Sequence, residues 1–369
     1  MTLPLLAELT ALVGGTVLTM AGAPEGPATT ETLTATVATV LIQDGLILEI
    51  GPDLELPPGT NEIDMTGRFV MPGLIDGFVQ FDGDHDVLYT AAGITTVRDM
   101  GGDRGRLLLQ RSNRDRVPGP KLLTAGTVIG GTPAVSPEAA TFGTGLDAER
   151  YLPILFAEQV DFLSLYSNLG AEPWTRTIEL AHENGLEVWG PVGSALPFPD
   201  AVAAGQDGFL YMDSLLPIFE SEGEDGAVYT EQVGWEIVQV PAFKKHIKAL
   251  AESGAAFTPM LRATAQRTDP ILEPEATVER YLRFLAAHYA GWWMGERDMR
   301  LRIAANNEGF LATGERVVKK QLGVLKKLDE AGVPLVPGSG SPHPWLMPGV
   351  GLVEELELWQ TAGLSPECV

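Results

Sequence analysis

The acidic run "FDGDHD" brings Asp82, Asp84, His85 and Asp86 together directly after an apolar stretch of strand character. Alternating carboxylates on a loop are the donor set of a hard cation such as calcium or magnesium, which takes oxygen ligands. The run lacks the full calcium-loop pattern, and a solvated acidic turn is the plainer alternative in so acidic a chain. Ser339 and His343, in "VPGSGSPHPW", are the residue types of a serine–histidine nucleophile, yet no orienting carboxylate is identifiable beside them. Neither this loop nor "TAGTVIGG" has the G-x-S-x-G form of a strained strand-to-helix elbow. Asp99 in "TTVRDMGG" and Asp213 in "YMDSL" fall near strand ends, where carboxylates would line a mouth; Arg98 stands ready to pair with Asp99. Of the other histidines, His182 ("TIELAHENG") and His246 ("AFKKHIKAL") lie in helical patterns. His288, in the apolar "RFLAAHYAGWW", reads as a packed, hydrogen-bonded imidazole.

Positioning these side chains falls to two textures of sequence. From Leu12 to Ile63 the pattern is strand-like, "ALVGGTVLTM" then "TATVATVLIQDGLILEIGP", and Asp44-Gly45 between apolar runs predicts a hairpin. After Arg68, short apolar runs alternate with helical patterns. The predicted strands are Arg68 to Gln80, Ile94 to Asp99, Pro120 to Gly126, Val160 to Tyr166, Leu186 to Val192, Asp207 to Asp213, Ala255 to Met260 and Val333 to Ser339. Predicted helices such as Glu172 to Asn184 and Arg316 to Ala331 end near glycines. Strand–helix alternation signifies a parallel sheet with helices outside, and eight such strands favour a closed α/β barrel of TIM type, (β/α)8. The expected organisation is a small β-subdomain at residues 1–66 and the barrel at 67–369.

Composition sets bounds. The chain has 369 residues, 45% of them hydrophobic, enough to bury a full core. A formal charge of -24, from 49 acidic and 25 basic residues, repels phosphate backbones and anionic lipid, so neither nucleic acid nor membrane is an expected partner. One cysteine, Cys368, leaves no intrachain disulfide and no thiolate cluster. The apolar start lacks a basic region and no run is long enough to span a bilayer, so a cytoplasmic protein is expected.

In order, "ALVGGT", "VLIQDGLILEIGP", "MPGLID", "GITTVRD", "GLEVWGPV", "AAGQDG" and "GVPLVPGS" resemble the amidohydrolase superfamily, nearest its imidazolonepropionase-like and prolidase-like branch. The resemblance runs from Leu12 to Glu367. It implies a (β/α)8 barrel beside a small β-sandwich, with one or two divalent metals at the carboxyl ends of the strands. It also implies where the ligands belong. Two histidines of the first strand fall at Phe78 and Gln80, the fourth-strand lysine at Ser164, and the fifth- and sixth-strand histidines at Pro191 and Tyr211. The eighth-strand aspartate falls at Gly340. Phe78 and Pro191 offer no donor, and Gln80, Ser164 and Tyr211 are neutral and weak ligands for zinc.

The expectation is therefore a catalytically inactive relative with no cofactor, its mouth made more apolar by Phe78, Tyr211, Pro191 and Trp189. Those side chains either fill the vacated volume or hold a neutral small molecule, with Arg98, Asp99 and His343 as possible pocket residues. The alternative is an amidohydrolase acting on C–N bonds through a relocated metal or without one. The resemblance also implies further strands after "VEELELWQTAGLSPECV", where this sequence stops; a reduced sheet with an open edge is expected, covered by a second copy or another chain.

Overall fold

The computed structural model describes residues 9–20, 35–81, 85–112, 118–193, 195–216, 234–236, 243–266, 310–343 and 345–365. The chain separates into two compact units, Met1–Gly73 and Leu74–Glu367.

In the first unit, β1 (Leu9–Leu18), β2 (Ala35–Gln43), β3 (Leu46–Gly51) and β4 (Asn61–Asp64) form a sheet in the order β3-β2-β1-β4, and β5 (Phe69–Val70) also pairs with β1. β2 and β3 are antiparallel, and the turn between them has Asp44 at φ 52 and Gly45 at φ 78. Two successive positive φ values define the tight hairpin that Asp-Gly favours. Val17, Ala38 and Val40 form the buried face, with Leu12, Ile42 and Val70 against them.

The second unit is built of parallel strands with intervening helices. β6 (Leu74–Val79), β7 (Ile94–Asp99) and β8 (Lys121–Thr124) make one parallel sheet. β9 (Val128–Gly130), β10 (Ala140–Thr141), β11 (Leu163–Leu165), β12 (Val188–Gly190), β13 (Gly208–Leu210) and β14 (Ala256–Thr258) make another, ordered β10-β9-β11-β12-β13-β14. The segment expected as the last strand forms single bridges instead, Leu335 to Phe257 and Ser341 to Val79. Val336 N donates to Phe257 O at 2.9 Å, and Gly340 N to Phe78 O at 2.9 Å, so the segment is hydrogen-bonded to both β14 and β6. Pro334, Pro337 and Pro342 explain the broken ladder, because proline has no N–H to donate.

Helices α1 (Asp86–Ala91), α2 (Arg104–Ser112), α3 (Gly145–Ala157), α4 (Ala171–Glu183), α5 (Phe198–Ala203), α6 (Lys244–Ser253), α7 (Leu261–Ala265), α8 (Phe310–Glu330) and α9 (Val350–Ala362) alternate with or follow the strands. Their apolar residues recur at helical spacing. On α4, Trp174, Thr177, Ile178 and Ala181 are buried while Glu179, His182 and Glu183 stay at the surface. Each aliphatic side chain so buried contributes roughly 1.5–3 kcal/mol. Trp174 Nε1 donates to Gln206 Oε1 at 2.9 Å, and Gln206 Nε2 donates to Gly190 O and Gly208 O. One buried glutamine thus locks α4 onto β12 and β13 with its own polar atoms satisfied. No described helix is long and apolar enough to cross a membrane.

Candidate functional site

The six positions named from the resemblance lie in or just beyond strands of the second unit, or in its last bridged segment. Phe78, second from the end of β6, is buried, whereas Gln80, one residue beyond the strand, is exposed. Ser164 is buried in the middle of β11, and Pro191 is half-buried just after β12. Tyr211, following β13, is half-buried with φ 64; Gly340 is buried with φ 71. Phe78 and Tyr211 meet edge to face, their rings 5.6 Å apart and inclined by 66°. Phe78 packs in one apolar cluster with Met100, Phe162, Trp189, Leu210 and Met260. The last segment closes against it: a Cβ on Gly338 would meet Phe78 Cβ at 2.7 Å, and a Cβ on Gly340 would meet Met260 Cε at 2.7 Å.

Within this cluster the Arg98 guanidinium stacks over Phe162 at 4.3 Å and over Trp189 at 4.0 Å. Burial lowers its pKa to about 10, the carboxylates of Glu187 and Asp161 acting in the opposite direction. A desolvated cation between two aromatic faces contributes about 2 kcal/mol. Trp189 is fixed at its other edge, donating from Nε1 to Glu187 Oε2 at 2.7 Å. Its indole lies across Gly208, where an added Cβ would come within 2.1 Å of the ring. Arg98 and Trp189 therefore belong to one packed stack.

Asp99 faces away from Arg98, on the side of β7 shared with Val97, whose neighbours are Phe81, Ile94, Leu107 and Leu122. Its Oδ1 accepts from Phe81 N at 2.8 Å, and its Oδ2 from Gly101 N at 3.0 Å and Thr124 Oγ1 at 2.9 Å. The anticipated Arg98–Asp99 pair gives way to this arrangement because adjacent residues of a strand point to opposite faces. Burial raises the Asp99 carboxyl to about 6, the three hydrogen bonds holding it lower than burial alone would.

Sequence reasoning missed a second buried carboxyl. Asp76, on β6, accepts from Ser339 N at 2.9 Å and Phe78 N at 3.3 Å through Oδ1, while Oδ2 is buried with no partner. Burial raises its pKa to about 7, and the nearby Glu355 carboxylate adds to the rise. Beside it, Ser339 Oγ donates to Ser341 Oγ at 2.8 Å, and Ser341 Oγ lies 3.1 Å from Tyr89 OH. The Ser339 hydroxyl is thus engaged with Ser341. The only signal in the sequence was a carboxylate embedded in the apolar "GLIDGFV".

The remaining expectations fall as follows. Asp82, Asp84 and His288 lie outside the described residues, while His85 and Asp86 are buried at the start of α1. His182 is exposed on α4 with Nε2 2.9 Å from Asp207 Oδ2. His246 is buried on α6 with Nδ1 3.1 Å from Leu215 O. His343 is half-buried in the turn closed by Leu346 N donating to His343 O. Asp213 is half-buried and accepts from Trp235 Nε1 at 2.5 Å.

A catalytic divalent metal needs converging imidazoles, carboxylates or thiolates. Phe78, Pro191 and Gly340 carry no side-chain donor, and no group of three or more His, Cys, Asp or Glu suited to an ion occurs among the described residues. Among the described residues, the donors at these positions do not fit such a metal.

Parallel strands with flanking helices place the second unit in the α/β class, consistent with a TIM-type fold. No protein-family model matches the chain. In sequence it is 27% identical over 239 residues to the imidazolonepropionase of Klebsiella pneumoniae subsp. pneumoniae, an alignment covering 59% of this chain and 54% of that protein. The match spans about half the length of this curated relative. Among solved structures, bottromycin amidohydrolase matches with a TM-score of 0.76 at 18% identity, covering 98% of this chain and 75% of that one. A putative prolidase from Bifidobacterium longum gives 0.67 at 18% identity, covering 98% and 80%, and molinate hydrolase 0.66 at 16%, covering 98% and 82%. The chain thus shares part of its sequence with an imidazolonepropionase and its fold with amidohydrolase and prolidase structures.

Proposed function

We propose that this chain is a catalytically inactive amidohydrolase-like protein, a closed (β/α)8 barrel that works as a small-molecule binder or as a structural or regulatory partner. One observation carries the reading: where the superfamily's chemistry calls for metal ligands, Phe78 lies in an apolar cluster with Trp189, Leu210 and Met260. A site of this composition has no means of lowering the pKa of a bound water. The cluster also favours packing over an open polar pocket, since an unfilled polar cavity is costly.

The competing reading is a hydrolase of C–N bonds with a relocated metal or a metal-independent site. It draws on the names of the imidazolonepropionase and amidohydrolase relatives. Metal analysis of protein purified without chelator, paired with an anomalous-scattering map, separates the two. The inactive reading expects no stoichiometric ion; one bound inside the barrel overturns it. Histidines introduced together by Phe78→His and Gln80→His are expected to leave amidase and esterase activity at background, because Ser164, Pro191, Tyr211 and Gly340 supply no further ligands. Measurable turnover by that variant would show the positions to be misassigned.

A further inference from the structure

We propose that the basic face shared by α6 and α8 docks a short acidic segment of another protein. The chain is strongly acidic, yet these two helices hold eight basic against four acidic residues. Helical periodicity gathers the cations at the surface. α8 buries Val317, Gln321, Val324, Leu325 and Leu328, which turns Lys319 and Lys326, two turns apart, to the opposite side. α6 buries His246, Ile247 and Leu250, and its Lys244, Lys245 and Lys248 are exposed. The two helices pack side by side. Trp235 bridges them: its ring stacks on Phe243 at the head of α6, centroids 5.0 Å apart, and its carbonyl accepts from Lys320 Nζ of α8 at 2.5 Å.

This face already holds one carboxylate: Arg316 Nε donates to Glu236 Oε1 at 2.7 Å. Lys248 faces Glu252 one turn on at 3.5 Å. Lys244, Lys245, Lys319, Lys326 and Lys327 form no ion pair among the described residues. Their chemistry selects the partner. Ammonium groups on flexible stems adapt to carboxylates of irregular spacing, whereas the rigid fork that suits phosphate belongs to arginine, and the one arginine here is engaged by Glu236. Screening at physiological salt limits each charge to a reach of about 8 Å, so a segment no larger than the face meets its lysines rather than the acidic remainder of the chain. A nucleic acid or an anionic membrane extends past the face and meets that remainder, and a second copy brings its own -24. The helices alone build this face, so it is present whether or not the strand ends are catalytic.

The test uses the whole chain and a fluorescein-labelled octaglutamate peptide, followed by fluorescence anisotropy. Binding is expected, and it should weaken at least about tenfold as sodium chloride rises from about 50 to about 250 mM. Lys245→Glu combined with Lys319→Glu should weaken it at least about tenfold at the lower salt. Lys121→Glu combined with Arg150→Glu changes the net charge equally, but on β8 and α3, and should alter the affinity less than about threefold. All four positions are exposed, so unchanged thermal melts show that both double variants remain folded. An equal loss in the two variants assigns binding to net charge and overturns the proposal, as does a failure of the peptide to bind. Oligothymidylate of equal charge binding as tightly as the peptide overturns it too. So does self-association in light scattering that Lys245→Glu with Lys319→Glu abolishes, since the occupant would then be a second copy.

Discussion

Replacing Asp76 by asparagine isolates the cost of a buried carboxylate. In the native protein the Asp76 carboxyl is raised from 3.8 to about 7, chiefly by burial. At about 1.36 kcal/mol per unit, that rise corresponds to roughly 4 kcal/mol. The sign follows from linkage. The folded state holds this proton more tightly than the unfolded chain, so the group costs nothing below about pH 4. Its cost grows as pH climbs from about 4 to about 7, and it is constant above that. Asparagine keeps the Oδ1 that accepts from Ser339 N and Phe78 N. Its amide nitrogen takes the place of Oδ2, which already lacks a partner, so the variant adds little new desolvation. Urea unfolding followed by circular dichroism between pH 4.5 and 8.5 gives the stability difference at each pH. Asp76→Asn should match or slightly trail the native protein at the acidic end, then gain on it by roughly 3–4 kcal/mol toward pH 8. Glu355 is also buried and raised, but it titrates in both proteins and largely drops out of the comparison. A difference that stays flat with pH, or a variant less stable throughout, would refute the assignment of this titration to Asp76.

Other perturbations follow from the same geometry. Asp99→Asn leaves one of three donors (Phe81 N, Gly101 N, Thr124 Oγ1) facing an amide nitrogen. Thermal and urea unfolding should show a loss of about 1–3 kcal/mol near pH 4, shrinking as pH rises through about 6 because the variant no longer buries a carboxylate. Gly208→Ala forces a methyl into the Trp189 indole and should cost about 1–3 kcal/mol; Trp189→Leu in the same chain should recover part of it, as a double-mutant cycle would record. Glu355→Ala strips the acceptor from Leu261 N, Arg262 N and Trp359 Nε1, all buried, and should cost about 3 kcal/mol or more in the same unfolding assay.

Much of the architecture was legible because its strands are short apolar runs between turn signals. Ile94 to Asp99 was delimited to the residue, and the Asp44-Gly45 hairpin was fixed by two residues that accept positive φ. β9 was not legible. Its sequence, "TAGTVIGG", looks like a glycine loop, yet a Cβ on Gly131 would meet Asn168 O at 2.2 Å, so that glycine serves close packing. The last segment was over-read as a strand because its apolar residues outweighed prolines that cannot complete a ladder. At the candidate site, residue identities were readable but their surroundings were not. Arg98 and Asp99 looked like a pair because their contacts to Phe162, Trp189, Phe81 and Thr124 are distant in sequence. Asp76 escaped notice for the same reason: its partner Ser339 lies 263 residues away.

The left-handed backbone at Gly340 restricts what position 340 can hold. An aspartate introduced at position 340 displaces the flexible end of Met260 and must accept a left-handed backbone. Trimming Met260 alone opens a void beside Leu210 and Phe78 in the same cluster. The cost of a carboxylate there is therefore set by the backbone, which only a residue tolerant of positive φ adopts readily, more than by the space around it.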